Sequence, residues 1–155
     1  MERFLGHVTN RIDAKGRVSV PAHFRSIMLQ AGHTELYALR SLHFPALDVG
    51  GPDFLARYEE RLAGEDPFQQ AAQDWTFYLH ADGMFLKLDQ DGRITINEFI
   101  RQHTGISGEV TFAGAMTHFQ MWQPERFEAH RAAVRERLAG RASGAARAAP
   151  RQGRE

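Results

Sequence analysis

Asp13-Ala14-Lys15-Gly16-Arg17-Val18-Ser19-Val20-Pro21 recurs in altered form as Asp89-Gln90-Asp91-Gly92-Arg93-Ile94-Thr95-Ile96-Asn97. Each copy has an aspartate, two variable residues, Gly-Arg, an alternating apolar run and a helix start. The two aspartates stand 76 positions apart. Alternation at Val8, Asn10 and Ile12, and again at Val18 and Val20, predicts two half-buried strands. Ala14-Lys15-Gly16 must then reverse the chain, making a hairpin corner that projects Lys15 and Arg17. Gly16 permits the positive φ that such a turn needs. Asp13 is placed to accept backbone N–H bonds from the residues that follow it. Pro21 suits the first turn of a helix, where its missing donor is not needed. In the second copy Leu86 and Leu88 lead in, Gly92 makes the turn, Ile94 and Ile96 lead out, and Asn97 caps a helix through Phe99 and Ile100. Agreement in turn, strand and helix entry marks an internal repeat.

The repeat sits in a chain of 155 residues, enough for one sizeable core or for two small intertwined halves. There is no cysteine, which excludes disulfides and thiolate metal sites. No apolar run approaches the roughly 20 residues that span a bilayer, and Met1-Glu2-Arg3-Phe4 lacks a signal-peptide pattern. A cytoplasmic protein with no membrane association is expected. Net charge is zero, but residues 51–100 hold 4 basic and 10 acidic side chains, whereas residues 101–155 hold 9 and 5. An acidic middle thus lies between two basic ends, and local field governs encounter with a polyanion. Arginine is the default cation, with 17 copies against two lysines, Lys15 and Lys87.

Read in order, residues 7–54 form the first repeat, with a helix over Pro21–Gln30 and strands at Glu35–Leu39 and Ala46–Val49. Residues 55–82 are linking helices. The first carries Phe54, Leu55, Tyr58 and Leu62 on one face, and the second turns Phe68, Ala71, Ala72 and Trp75 inward. Residues 83–126 form the second repeat, with strands at Val110–Gly114 and Phe119–Trp122. Residues 127–140 continue an amphipathic helix opened by Pro124, with Phe127, Val134 and Leu138 facing inward. Residues 141–155 hold four arginines, one glutamate and no large apolar side chain. A basic, disordered tail is expected there.

The D-A-K-G-R-V-S-V-P stretch resembles the signature of the MraZ family of bacterial transcriptional regulators. The second D-Q-D-G-R-I-T-I resembles it too, as do Arg101-Gln102-His103-Thr104-Gly105 and the segment from Gly114 to Trp122. The resemblance covers about residues 4–138. It implies an α+β fold of duplicated AbrB-like swapped-hairpin β-barrel units with linking and C-terminal helices. It also implies a homo-oligomeric ring that binds repeated double-stranded DNA boxes in the promoter of the division and cell-wall gene cluster, repressing it and its own gene within the nucleoid. Carried over residue by residue, the DNA-facing positions are Lys15, Arg17 and Arg93. Asp13, Gly16, Asp89 and Gly92 shape the turns. Asp91 departs from the pattern, placing a negative charge where the first copy has Lys15, and Asn97 replaces the proline.

The same residues admit other readings. Arg17 and Arg93 could instead pair with Asp13 and Asp89 as structural ion pairs. Asp89, Asp91, Gly92 and Glu98 fall in the register of a calcium-binding EF-hand loop, but Lys87 stands where its first carboxylate belongs. Eight scattered histidines form no catalytic or metal-ligand pattern, and His103 and His118 read as structural. No enzymatic activity, cofactor, metal or small-molecule ligand is expected. The competing function is an oligomeric protein-interaction scaffold that does not bind DNA.

Overall fold

The computed structural model describes residues 3–152, the side chains of 145–152 excepted. Its first half runs β1 (His7–Arg11), β2 (Arg17–Ser19), α1 (Ala22–Gln30), β3 (Glu35–Arg40) and β4 (Ala46–Gly50). Two linking helices follow, α2 (Pro52–Ala63) and α3 (Gln70–Thr76), the latter continuing as a π-helical turn over Phe77–Ala81. The second half repeats the first as β5 (Met84–Lys87), β6 (Arg93–Thr95), α4 (Glu98–Thr104), β7 (Glu109–Gly114) and β8 (Phe119–Trp122). The last helix, α5 (Pro124–Gln152), belongs to a second compact unit that begins after Pro124. The fold is α+β with antiparallel pairing throughout.

The strand partners differ from a simple hairpin reading. β1 does not pair with β2 across the first turn; it pairs with β7, while β2 pairs with β6. Likewise β5 pairs with β3. Each turn therefore sends its two flanking strands to partners outside its own hairpin. The six-stranded sheet has the order β1-β7-β8-β4-β3-β5. Exchanging the two halves of the chain leaves that order unchanged, so the repeat in sequence is a pseudo-twofold axis in space between β8 and β4. Burial explains the exchange. A lone two-stranded hairpin is marginal in water, whereas β2 and β6 paired together bury Val18 and Ile94 almost completely. Each such side chain contributes about 1.5–3 kcal/mol relative to exposure.

One core serves both halves. Val18, Val20, Phe24 and Met28 from the first meet Ile94, Ile96, Ile100 and Ile106 from the second, above Leu36, Leu47, Phe112 and Phe119 of the sheet. A smaller cluster of Tyr37, Leu39, Phe54 and Leu79 seats the linking helices, with Leu55, Tyr58 and Leu62 packed on it. The Tyr37 hydroxyl donates to the Leu79 carbonyl at 2.6 Å, and Arg40 holds Asp82 through two contacts of 2.6 and 3.3 Å. Burial pushes the Tyr37 phenol up to about 12. These bonds pin the π-helical turn to β3.

Three expectations change. Of the four residues assigned to the inward face of α3, only Ala72 is buried; Phe68 is 86% exposed and Trp75 is 41% exposed. Trp75 stacks on Tyr58 of α2 instead, because a seven-residue helix tied to another helix has no reach to the main core. Leu138, assigned inward, is exposed. Helix α5 also runs past Gly140 to Gln152, over most of the stretch expected to be disordered. Alanine and arginine are both strong helix formers and favour the extension, which hydrophobic burial does not require, while Gly144 and Pro150 oppose it. Residues 153–155 of the expected tail lie outside the described residues. Among the described residues, no helix is long and apolar enough to cross a membrane.

Candidate nucleic-acid interface

The ribbon of β2 and β6 carries the two Gly-Arg motifs. Its register pairs Arg17 with Thr95, Val18 with Ile94 and Ser19 with Arg93. Side chains alternate across a strand, so the face opposite Val18 and Ile94 carries Arg17, Ser19, Arg93 and Thr95 together. The two glycine carbonyls join the turns to the opposite copy. Gly92 O accepts from Val20 N at 3.0 Å, and Gly16 O accepts from Ile96 N at 2.8 Å. Gly16 and Gly92 have φ of +82° and +76°, in the left-handed region that resists a side chain.

The aspartates shape these turns through their carboxylates. Asp13 Oδ1 accepts from the backbone N–H groups of Lys15 and Arg17, both at 2.9 Å. Asp89 Oδ1 accepts from those of Asp91 and Arg93, also at 2.9 Å. The Arg17 backbone N–H is the main reason that Asp13 titrates below the ordinary carboxylate value, and the Arg93 N–H does the same for Asp89.

The arginine side chains differ between copies. Arg17 Nε donates to Asp13 Oδ2 at 2.9 Å, which leaves its two terminal nitrogens for another acceptor. Arg93 lies among three carboxylates. Its Nη2 donates to Asp91 at 2.8 Å, while Nη1 stands 3.6 Å from Asp13 and Nε 3.6 Å from Asp89. Both guanidinium groups stay partly accessible, with side chains 31% and 26% exposed. Lys15 is exposed. Asp91, in the position equivalent to Lys15, is 73% exposed. The ion-pair geometry and an outward-facing cationic surface thus coexist, most openly at the first turn.

Two further arginines adjoin the turns. Arg25 of α1 packs on the second turn, where a Cβ built on Gly92 would fall 2.4 Å from Arg25 Cδ and Nη1. Arg101 of α4 lies behind the first, with Nη2 3.9 Å from the Cβ position of Gly16. Arg25 and Arg101 are themselves 76 positions apart, and extending the repeat into its helices would have found them. His118 bonds Asp48 at 3.1 Å and stacks on Phe54, while His103 meets the Ala46 carbonyl at 3.1 Å. Both are fastened into the sheet. Among the described residues, no three His, Asp or Glu side chains gather where they could hold a metal ion.

Known proteins resemble this chain closely. A protein of Rhizobium meliloti is 52% identical over 136 residues, covering 88% of this chain and 93% of its own. One from Rhizobium leguminosarum bv. trifolii is 52% identical over 145 residues, covering 92% of this chain and all of its own. A more distant one from Azorhizobium caulinodans is 38% identical over 138 residues, covering 89% and 88%. All three are transcriptional regulators, and that is the class in which this duplicated α+β chain falls; it is not a class of enzymes. Each is called MraZ, and the family model described as "MraZ protein, putative antitoxin-like" matches residues 78–148. The chain belongs to the MraZ family.

Proposed function

We propose that the protein is a sequence-specific DNA-binding repressor. Its targets are repeated boxes in the promoter of the division and cell-wall gene cluster, which includes its own gene. Two AbrB-like swapped-hairpin units in each chain present their turns to DNA, and a homo-oligomeric ring engages several boxes at once. In this reading Lys15 and Arg17 carry the main contacts and Arg93 a weaker one. The supporting observation is the shared outward face of Arg17 and Arg93 on a two-stranded ribbon, an element that the major groove of DNA admits. Arginine forks onto guanine edges or phosphates, and lysine neutralises a phosphate. One ribbon offers few contacts, so tandem boxes gain affinity through effective concentration.

The test is fluorescence anisotropy with a duplex from upstream of the protein's own gene, over a salt series. Binding is expected to weaken steeply as salt rises. Arg17→Ala is expected to remove most of it while leaving the melting temperature close to wild type, since Arg17 and Asp13 form a partly exposed surface ion pair. An oligomeric scaffold that does not bind DNA gives no change in anisotropy at any salt concentration.

A further inference from the structure

We propose that Arg25 is a phosphate-contacting residue of the second turn, supplying from α1 the positive charge that Asp91 removes. The inference rests on the DNA-binding reading and extends it to a residue outside both Gly-Arg motifs.

The pseudo-twofold axis makes the two turns directly comparable. Around the first turn stand Lys15, Arg17 and Arg101 with one carboxylate, Asp13. Around the second stand Arg93 and Arg25 with two carboxylates, Asp89 and Asp91. Without Arg25, the second turn would meet a polyanion with more carboxylates than cations, and like charge at a groove repels. Arg25 therefore brings that turn from a net negative charge to neutrality.

Its side chain is also in a different state from that of its counterpart. Arg101 Nη1 donates to the Ser107 carbonyl at 2.8 Å, so its guanidinium is tied to the loop after α4. Arg25 Nε is enclosed and has no hydrogen-bond partner, and no ion pair among the described residues neutralises its charge. Cδ, Nε and Nη1 all lie over Gly92, which holds the guanidinium at the turn. A guanidinium with no carboxylate partner, held at a turn beside an outward face, suits a phosphate oxygen through its terminal nitrogens. Arg93 Nε is likewise enclosed without a hydrogen-bond partner, but its guanidinium has three carboxylates around it. The contact that the second copy lacks at position 91 thus comes across the axis from the first half of the chain.

The experiment uses the full chain and the labelled promoter duplex described above. Arg25→Gln keeps the stem over Gly92 and removes the charge. Its affinity is expected to fall, with the slope of log affinity against log salt reduced by about one for each engaged subunit. Melting temperature and oligomer mass are expected to stay at wild-type values. Asp91→Asn in the Arg25→Gln background is expected to recover part of the loss, and Arg25→Lys to keep the wild-type slope. Unchanged affinity and slope in Arg25→Gln would overturn the proposal. So would a loss accompanied by a lower melting temperature with the slope intact, or a loss in Arg25→Lys as large as in Arg25→Gln, since each marks a packing role. Failure of the wild-type chain to bind the duplex would bring down the DNA reading and this inference together. Wild-type binding beside an indifferent Arg25→Gln removes this inference alone.

Discussion

At the scale of single residues, the two glycines test how each turn is built. Gly16→Ala places a methyl in ordinary contact, 3.7 Å from the Ile96 carbonyl, so only the left-handed backbone resists it, at roughly 1–2 kcal/mol. Gly92→Ala meets the same resistance and must also displace Arg25. Urea denaturation is expected to show a larger loss for Gly92→Ala than for Gly16→Ala; equal losses would mean that Arg25 yields freely. Asp13 adds a dependence on pH. Its folded carboxylate binds a proton less readily than the unfolded one, held down first by the Arg17 backbone N–H. Its contribution is therefore complete above the unfolded value near 4 and is lost as pH falls through the lower folded value. Asp13→Asn keeps an acceptor for the turn but cannot titrate. Its melting temperature is expected to fall less than that of the wild type between about pH 5 and pH 2. The Gly-Arg motifs were visible in sequence as residues that had to lie at a turn. The pairing of Arg93 with Asp89 was legible there too, but the approach of Asp13 from 80 positions away was not.

At the scale of elements, local patterns located most strands and helices. Glu35–Arg40 and Phe119–Trp122 alternate or run apolar as strands, and Asn97 caps α4 by accepting from Ile100 N at 2.9 Å. Asn97→Ala is expected to cost about 1 kcal/mol, read as a shift in the urea midpoint with an unchanged slope. The linking segment was less legible. A helical stripe over Phe68, Ala71, Ala72 and Trp75 states which residues share a face, but it cannot say whether that face meets the core, a neighbouring helix or solvent. Here α3 gives way to a π-helical turn at Phe77, where Tyr37 and the ion pair of Arg40 with Asp82 hold the backbone.

At the scale of the whole molecule, the exchange of strands makes each half of the chain incomplete. β1 and β2 have their partners in the second half, and β5 has its partner in the first. Residues 1–66 prepared alone are expected to lack a folded monomer, as are residues 67–155. Mixing the two is expected to restore the sheet, as monitored by circular dichroism and by the mass of the complex. A stable folded monomer from either fragment would show that the exchange is dispensable. The shared core gives the physical reason. Val18 and Ile94 face each other across the ribbon, and separating the halves exposes both.

The sequence by itself determined that the chain is duplicated, where its two turns fall, which residues start the helices after them, and that the fold mixes helix with sheet. These are properties of local pattern: a period of two or of 3.6, a glycine, a cap. Tertiary structure alone decided which strand lies beside which, and which side chains crowd each turn. Alternation specifies the buried face of a strand, but any strand with a matching face can accept its hydrogen bonds. The choice of β6 for β2, and with it the position of Arg25 over Gly92, follows from packing two halves into one core.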